Sequence, residues 1–334
     1  MVNAQSLTNV IGLEFSDIGL ESAVRAGLAE VERELRTTVS SADPFVTEAA
    51  RHLVEAGGKR VRPMLTLLSA HFGDPKAPLV VPSALVLELT HLATLYHDDV
   101  MDEAPVRRGG PSANSRWTNT VAILTGDYLF ARAASIAADL GTEAVRYQAE
   151  TFARLVQGQI RETVGPLDGA DPVRHYLDVL GDKTGSLIAT CARFGAMFSG
   201  AGEDIAETMT EFGEMFGVAF QLSDDLLDIT SESEYSGKTP GTDLREGIAT
   251  LPMLYAMEGP DGRLRQLLSR GPLTDDIEHA EALALLRKSP ATERAQATLD
   301  GYADRARALL EQLPESPARM ALSSMCEFVV TRMG

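Results

Sequence analysis

The sequence predicts one large all-α domain, and three observations carry that prediction. Almost every long segment repeats its apolar residues at i, i+3, i+4 and i+7, which gives a helix one apolar face. Period-2 alternation with β-branched enrichment, the mark of a half-buried strand, is scarce. The breaks between periodic segments are short clusters of Gly, Pro and Asp, which suit turns between packed helices better than linkers between domains.

In chain order, helical period runs over residues 21–39, 82–103, 121–140, 144–164, 205–229 and 291–313. The breaks are AGGKRVRP (56–63), GPLDGADP (165–172), SEYSGKTPGTD (233–243) and EGPDG (258–262). Pro63 suits the first turn of a helix PMLTLLSAHF, where a missing amide hydrogen leaves nothing unbonded. GVAFQLSDDLLDI is apolar almost all round until its acids, which marks a central helix. No repeat of 20–50 residues is present, so a solenoid is disfavoured. The expected organisation is a single domain over 1–334, with its motifs in a core at 45–255 and a helical C-terminal part at 260–334.

Composition narrows the function. A chain of 334 residues, 44% hydrophobic and 23% charged, can bury a large core. A net charge of −18 argues against a nucleic-acid partner, because proteins that track a phosphate backbone are basic. An acidic chain that binds an acidic small molecule needs cations in between. Cys191 and Cys326 each lie in an apolar stretch and form neither a disulfide framework nor a zinc spacing, so a reducing cytoplasm is the simplest location. No signal peptide is read at the N-terminus, and no run of eighteen apolar residues spans a bilayer; peripheral membrane contact stays open.

The chemistry concentrates in two acidic triplets. Asp98, Asp99 and Asp102 end one apolar helix, and Asp224, Asp225 and Asp228 repeat the D-D-x-x-D spacing at the end of another. On a helix, i and i+4 share a face and i+1 lies about 100° round, so each triplet projects two or three carboxylates toward one point. A solvated helix end explains most lone copies. Two copies without matching lysines repel themselves and call for hard cations, and Mg²⁺ binds one or two carboxylates together with phosphate oxygens. Two carboxylate walls bridged to a diphosphate by Mg²⁺ are therefore expected.

Basic residues complete the pattern. Lys59 and Arg62 sit at the start of the helix after Gly57 and Gly58, where cations are unfavourable unless an anion is bound. Arg107 and Arg108 follow the first triplet closely enough to grip a phosphate, or else pair back to Asp102 or Glu103. His91 lies two turns before Asp98, Lys183 and Thr184 open another helix, Gln221 shares a face with Asp225 and Asp228, and Lys238 lies in the following loop. Packed core and solvated loop explain each of these alone. Together they provide for two diphosphates, one held through metal and one directly.

The order GGKRVRP, HLATLYHDDVMD, RRGGPS, GDYLFARA, GDKTGSL, AFQLSDDLLDI and GKTPGTDLREG resembles the trans-isoprenyl diphosphate synthases, also called polyprenyl synthetases. The resemblance implies an antiparallel helix bundle around a deep apolar cavity, usually a homodimer, with three Mg²⁺ ions per site. It implies that Asp98, Asp99 and Asp102 bind metal with the allylic diphosphate primer, and that Asp224, Asp225 and Asp228 bind further metal opposite. Lys59, Arg62, His91 and Arg108 then correspond to isopentenyl diphosphate contacts. Arg107, Lys183, Thr184, Gln221 and Lys238 correspond to allylic-substrate contacts. One departure is Ile248, where the family pattern often has a lysine; altered affinity rather than inactivity is expected.

Product length is read from the residues behind the first triplet. A chain growing from Asp98 runs back along its helix past Ala93 and Thr94, both small, where short-chain members of the family place an aromatic floor. Tyr128 and Phe130 on the next helix are the next candidate floor, or simply core. A heptaprenyl to decaprenyl product, as used for quinone side chains, is expected, with transient membrane contact for its release open. A geranylgeranyl synthase, a class I terpene cyclase and a catalytic or inactive subunit of a heteromer are the rivals. The basic set argues against the cyclase, and two complete triplets against an inactive subunit.

Overall fold

A computed structural model of the chain describes residues 15–231, 240–260 and 262–331. Lys238 lies outside the described residues. The first helix, α1 (Ile18–Thr38), starts at Asp17, whose side chain accepts the Leu20 amide, and buries Leu20, Val24, Leu28, Val31 and Leu35 along one stripe. Asp43 caps α2 (Pro44–Glu55) in the same way, with Pro44 in its first turn. Helix α3 (Val61–Ser69) begins two residues before Pro63, because Arg60 takes a left-handed conformation (φ 50°) that ends the glycine turn there.

The first acidic triplet closes α4 (Val80–Met101). A short antiparallel ladder follows, Val106–Arg107 against Gly110–Pro111, the only strands among the described residues. Then come α5 (Ala113–Arg116), α6 (Asn119–Leu140), α7 (Thr142–Val164) and α8 (Pro172–Leu180). A π-helical turn, Gly181–Gly185, joins α8 to α9 (Ser186–Phe198), and α10 (Glu203–Thr230) carries the second triplet. The rest is α11 (Thr242–Glu246), α12 (Leu251–Glu258), α13 (Gly262–Leu268), α14 (Asp276–Arg287), α15 (Pro290–Leu310) and α16 (Pro317–Thr331). The all-α expectation holds.

As its sequence predicts, α10 is central: it packs on α9, α15 and α16 and buries Met209, Phe212, Phe216, Leu222, Leu226 and Ile229. Phe212 and Phe216 stack at 5.7 Å, and each fully buried ring contributes roughly 1.5–3 kcal/mol. Helices α4 and α6 pack side by side, and α3 crosses α9. At that crossing a Cβ on Gly195 would lie 2.2 Å from the Thr66 carbonyl oxygen, so only glycine lets the two backbones meet.

One described helix, α6, is long and apolar enough to cross a membrane by length and composition, with a mean hydropathy of 1.3 and 33% of that window buried. Asp127 and Arg132 lie within it, so it holds no unbroken run of eighteen apolar residues. Its outer face carries Ile123 and Leu124, 42% and 61% exposed.

Candidate active site

The three acids that end α4 differ in surroundings. Asp99 is fully buried, and its Oδ1 accepts Nε of Arg107 at 2.5 Å while its Oδ2 is buried without a hydrogen-bond partner. Asp98 is half-buried and Asp102 exposed. Burial pushes the Asp98 carboxyl up to about 6, with Lys183 and Arg107 opposing and Asp102 and Glu162 reinforcing the rise. The Asp102 carboxyl is raised for the same first reason, against Lys183 and Arg107. Lys183, from the π turn, and Glu162, from α7, therefore face the first triplet, and Lys183 Nζ meets Glu162 at 2.5 Å.

A cluster of cations lies behind this wall. Arg108, also left-handed (φ 53°), donates to the carbonyls of Leu53 at 3.0 Å and of Gly57. Its guanidinium fills the space where Gly58 lacks a side chain: a Cβ there would be 2.9 Å from the Arg108 guanidinium carbon. Burial lowers the His91 pKa well below the usual histidine range, and the charges of Arg62, Arg108, Arg60 and Arg107 lower it further. Arg62 and Arg108 are themselves lowered by burial. Arg62 Nε is buried with no partner. Crowded cations with an unused donor form a site that an anion would relieve. Lys59 is exposed at its edge, before Arg60, which is buried and tied to Glu32 and Glu88.

The second triplet is divided in the same way. Asp224 is exposed on α10, whereas Asp225 is 9% exposed and accepts from the Tyr176 hydroxyl and, at 2.9 Å, from Gln221 Nε2. Burial pushes the Asp225 carboxyl up to about 6, the two hydrogen bonds opposing and Asp224 and Asp228 adding to the rise. Asp228 accepts the amides of Thr242 and Asp243, both at 3.1 Å, so it caps α11 from outside. Ile248 follows α11 with its side chain 45% exposed, and its amide donates to the Asp243 carbonyl at 2.9 Å.

Lys183 and Thr184 do not open a helix, as their sequence suggests. They form the middle of the π turn, a wide turn that recurs at functional sites and lets side chains project out of helical register. Arg154 on α7 holds it in place, donating to Asp182 at 3.1 Å and to Glu214 on α10. The Thr184 hydroxyl donates to Gln221 Oε1 at 3.3 Å. Sequence reasoning missed Arg154, Glu162 and Tyr176, whose partners lie 20 to 60 positions away; the one local signal was Tyr176, two turns before Lys183.

Behind the first wall Ala93 is fully buried, and a Cβ on Gly126 of α6 would come within 3.1 Å of its carbonyl oxygen. The Thr94 hydroxyl turns inward to the His91 carbonyl at 2.8 Å. Tyr128 points to the end of α1, donating to the Ser40 carbonyl at 3.2 Å. Phe130 instead joins His97 on α4 at 5.6 Å and Phe152 on α7 at 4.3 Å, an aromatic stack across three helices.

An all-helical bundle with two acid-tipped helices and a separate arginine cluster defines a protein built to hold highly charged anions beside an apolar interior. The profile of one family, polyprenyl synthetase, matches residues 43–285. A nonaprenyl diphosphate synthase from Mycobacterium tuberculosis is 52% identical over 331 residues, covering 98% of each chain. A geranylgeranyl pyrophosphate synthase from Corynebacterium glutamicum, solved with calcium and isoprenyl diphosphate, superposes with a TM-score of 0.87 at 45% identity, covering 96% of this chain and 99% of that one. A decaprenyl diphosphate synthase from Rhodobacter capsulatus gives a TM-score of 0.86 at 36% identity, covering 94% and 98%. The chain belongs to the polyprenyl synthetase family.

Proposed function

We propose that the protein condenses isopentenyl diphosphate with an allylic diphosphate to give a long all-trans polyprenyl diphosphate, in the heptaprenyl to decaprenyl range used for quinone side chains. The observation that carries this reading is the pairing of two acid walls with a separate cluster of Arg62, His91 and Arg108, in which Arg62 Nε is buried without a partner. A site that ionises a single diphosphate has no use for the second cluster, which weighs against a cyclase.

The residues fit Mg²⁺. Asp98, Asp102 and Asp224 are hard oxygen donors, and the raised Asp98 carboxyl shows that its nearby cations do not offset its burial. When bound, Mg²⁺ would neutralise charge on the leaving diphosphate. Lys183 and Arg107 bind the same diphosphate directly, and Lys183 exchanges Glu162 for it. Arg62 and Arg108, with Lys59 at the rim, hold isopentenyl diphosphate and so place its double bond against the allylic carbon; positioning is most of the rate gain. The allylic C–O bond breaks, the new C–C bond forms, and a proton leaves the isopentenyl unit for the released diphosphate. Thr184 and Gln221 line the allylic side.

The long product is supported by the small residues Ala93 and Thr94, with Phe130 of α6 as the candidate floor and Tyr128 tied instead to the Ser40 carbonyl. A homodimer is part of the reading: α7 exposes Val156, Ile160 and Val164 at four-residue spacing, α6 exposes Ile123 and Leu124, and apolar faces of this kind mark interfaces. So is a reducing, cytoplasmic location, supported by Cys191 and Cys326, whose thiols are buried, unpaired and pushed up to about 12 by that burial. The test is product mass after incubation with Mg²⁺, isopentenyl diphosphate and, separately, geranyl, farnesyl or geranylgeranyl diphosphate. Long polyprenyl diphosphates are expected. Arrest at geranylgeranyl would retain the chemistry and shorten the cavity, and no elongation from any primer would refute the reading.

A further inference from the structure

The middle acid of the second triplet has a protein donor on each of its oxygens. One oxygen of Asp225 accepts from the Tyr176 hydroxyl of α8 and the other from Nε2 of Gln221, one turn earlier on α10. Gln221 Oε1 in turn accepts from Thr184 at 3.3 Å. A carboxylate only accepts, so this contact fixes the orientation of the Gln221 amide: nitrogen toward Asp225, oxygen toward Thr184. Without it the amide could turn over, presenting a donor where the site now has an acceptor. Tyr176 is half-buried, and both burial and Asp225 hold its phenol well above the usual range, so it remains a donor.

We propose that Tyr176 is a positioning residue: through Asp225 it locks the Gln221 amide so that its oxygen stays with Thr184 on the allylic side. The proposal rests on the prenyl-transfer reading, in which Thr184 and Gln221 line that side. It also places Asp225 in a hydrogen-bond relay instead of the metal shell. The relay links three elements that carry substrate-facing groups, α8, the π turn and α10. Its members act in series, so their effects on turnover are not independent.

Tyr176→Phe removes the hydroxyl and keeps the ring that packs α8. The expected result is a kcat lower by about tenfold, the loss of one buried, charge-assisted hydrogen bond, with the KM for isopentenyl diphosphate unchanged. In a Gln221→Met background, where no amide is left to orient, Tyr176→Phe should cost nothing further. A merely structural role would lower kcat by the same factor in both backgrounds, and that outcome overturns the proposal, as does a wild-type kcat in the single variant. Asp225→Asn provides a second arm should Tyr176→Phe not fold. It should lower kcat and leave the Mg²⁺ concentration for half-maximal rate unchanged, whereas a raised Mg²⁺ requirement would assign Asp225 to the metal and refute the relay. An active wild type with an indifferent Tyr176→Phe removes this role alone; a wild type that condenses no primer removes the function and the relay together.

Discussion

Replacing Asp98 with asparagine should make the metal-free protein more stable while abolishing turnover. The Asp98 carboxyl is held up to about 6 instead of 3.8, chiefly by burial, even with Lys183 and Arg107 nearby. Ionising it therefore costs about 3 kcal/mol more in the folded protein than in the unfolded chain. The sign follows from proton uptake. Below about pH 4 the group is protonated in both states and contributes nothing. Between about 4 and 6 the unfolded chain ionises first, so stability falls as pH rises, and above about 6 the full cost remains. Asparagine matches the shape of the protonated acid and escapes that cost, in which the attraction of Lys183 and Arg107 is already counted, so a net gain of up to about 3 kcal/mol is expected at pH 8. Urea unfolding in EDTA at pH 8 and pH 4.5 measures it, and the gain at pH 4.5 should be less than half that at pH 8. Adding Mg²⁺ and inorganic diphosphate should stabilise the wild type and close the gap. A variant less stable than wild type at pH 8, or a gain indifferent to pH, would refute the argument that burial leaves this carboxylate short of cations.

Three further outcomes test other parts of the site. Gly58→Ala places a methyl group 2.9 Å from the Arg108 guanidinium carbon, at a φ of 147°. It should raise the KM for isopentenyl diphosphate by about tenfold, through displacement of a charge-assisted contact, and leave the allylic KM little changed in steady-state assays. Phe130→Ala opens the stack with His97 and Phe152, so the product mass distribution should shift upward by five-carbon increments; an unchanged distribution would place the floor elsewhere. Ile160→Asp puts a charge on the exposed face of α7, where Ile160 is 56% exposed. Light scattering at micromolar concentration should then report a monomer, and an unaltered mass would exclude this face as the dimer contact.

The helices were legible because their apolar spacing is local, and both triplets were legible because i and i+4 fall on one face whatever the rest of the chain does. Errors arose where tertiary contacts overrode a local rule. Pro63 pointed to a helix start, but the left-handed Arg60, held by Glu32 and Glu88, moves the start to Val61. The sequence places Lys183 and Thr184 of GDKTGSL at the opening of a helix. Arg154, reaching from α7 to Asp182 and Glu214, instead holds this stretch as a π turn within a continuous rod. No pattern in one sequence joins residues 60 positions apart. The same limit applies to Tyr176, which looks like an ordinary aromatic of a short amphipathic helix until its hydroxyl is seen on Asp225.

The spacing also hides that six acids of one chemical type do two jobs. Asp102 and Asp224 are exposed, and Asp98 and Asp228 are half-buried. Asp99 pins Arg107, Asp225 engages Gln221 and Tyr176, and Asp228 caps α11. In the proposed reading, each wall pairs acids suited to metal with acids that fix a neighbouring protein group, namely Arg107, Gln221 or the start of α11. Donors to Asp99 Oδ1, to both oxygens of Asp225 and to Asp228 offset part of the repulsion among the gathered carboxylates. That pairing also explains why a repeated triplet serves better than isolated acids: on one helical turn, the residue that meets the metal and the residue that positions the adjacent cation or amide move as a unit. A shift of either helix end would then disturb metal and substrate contacts together, which ties the two walls to a single competent geometry.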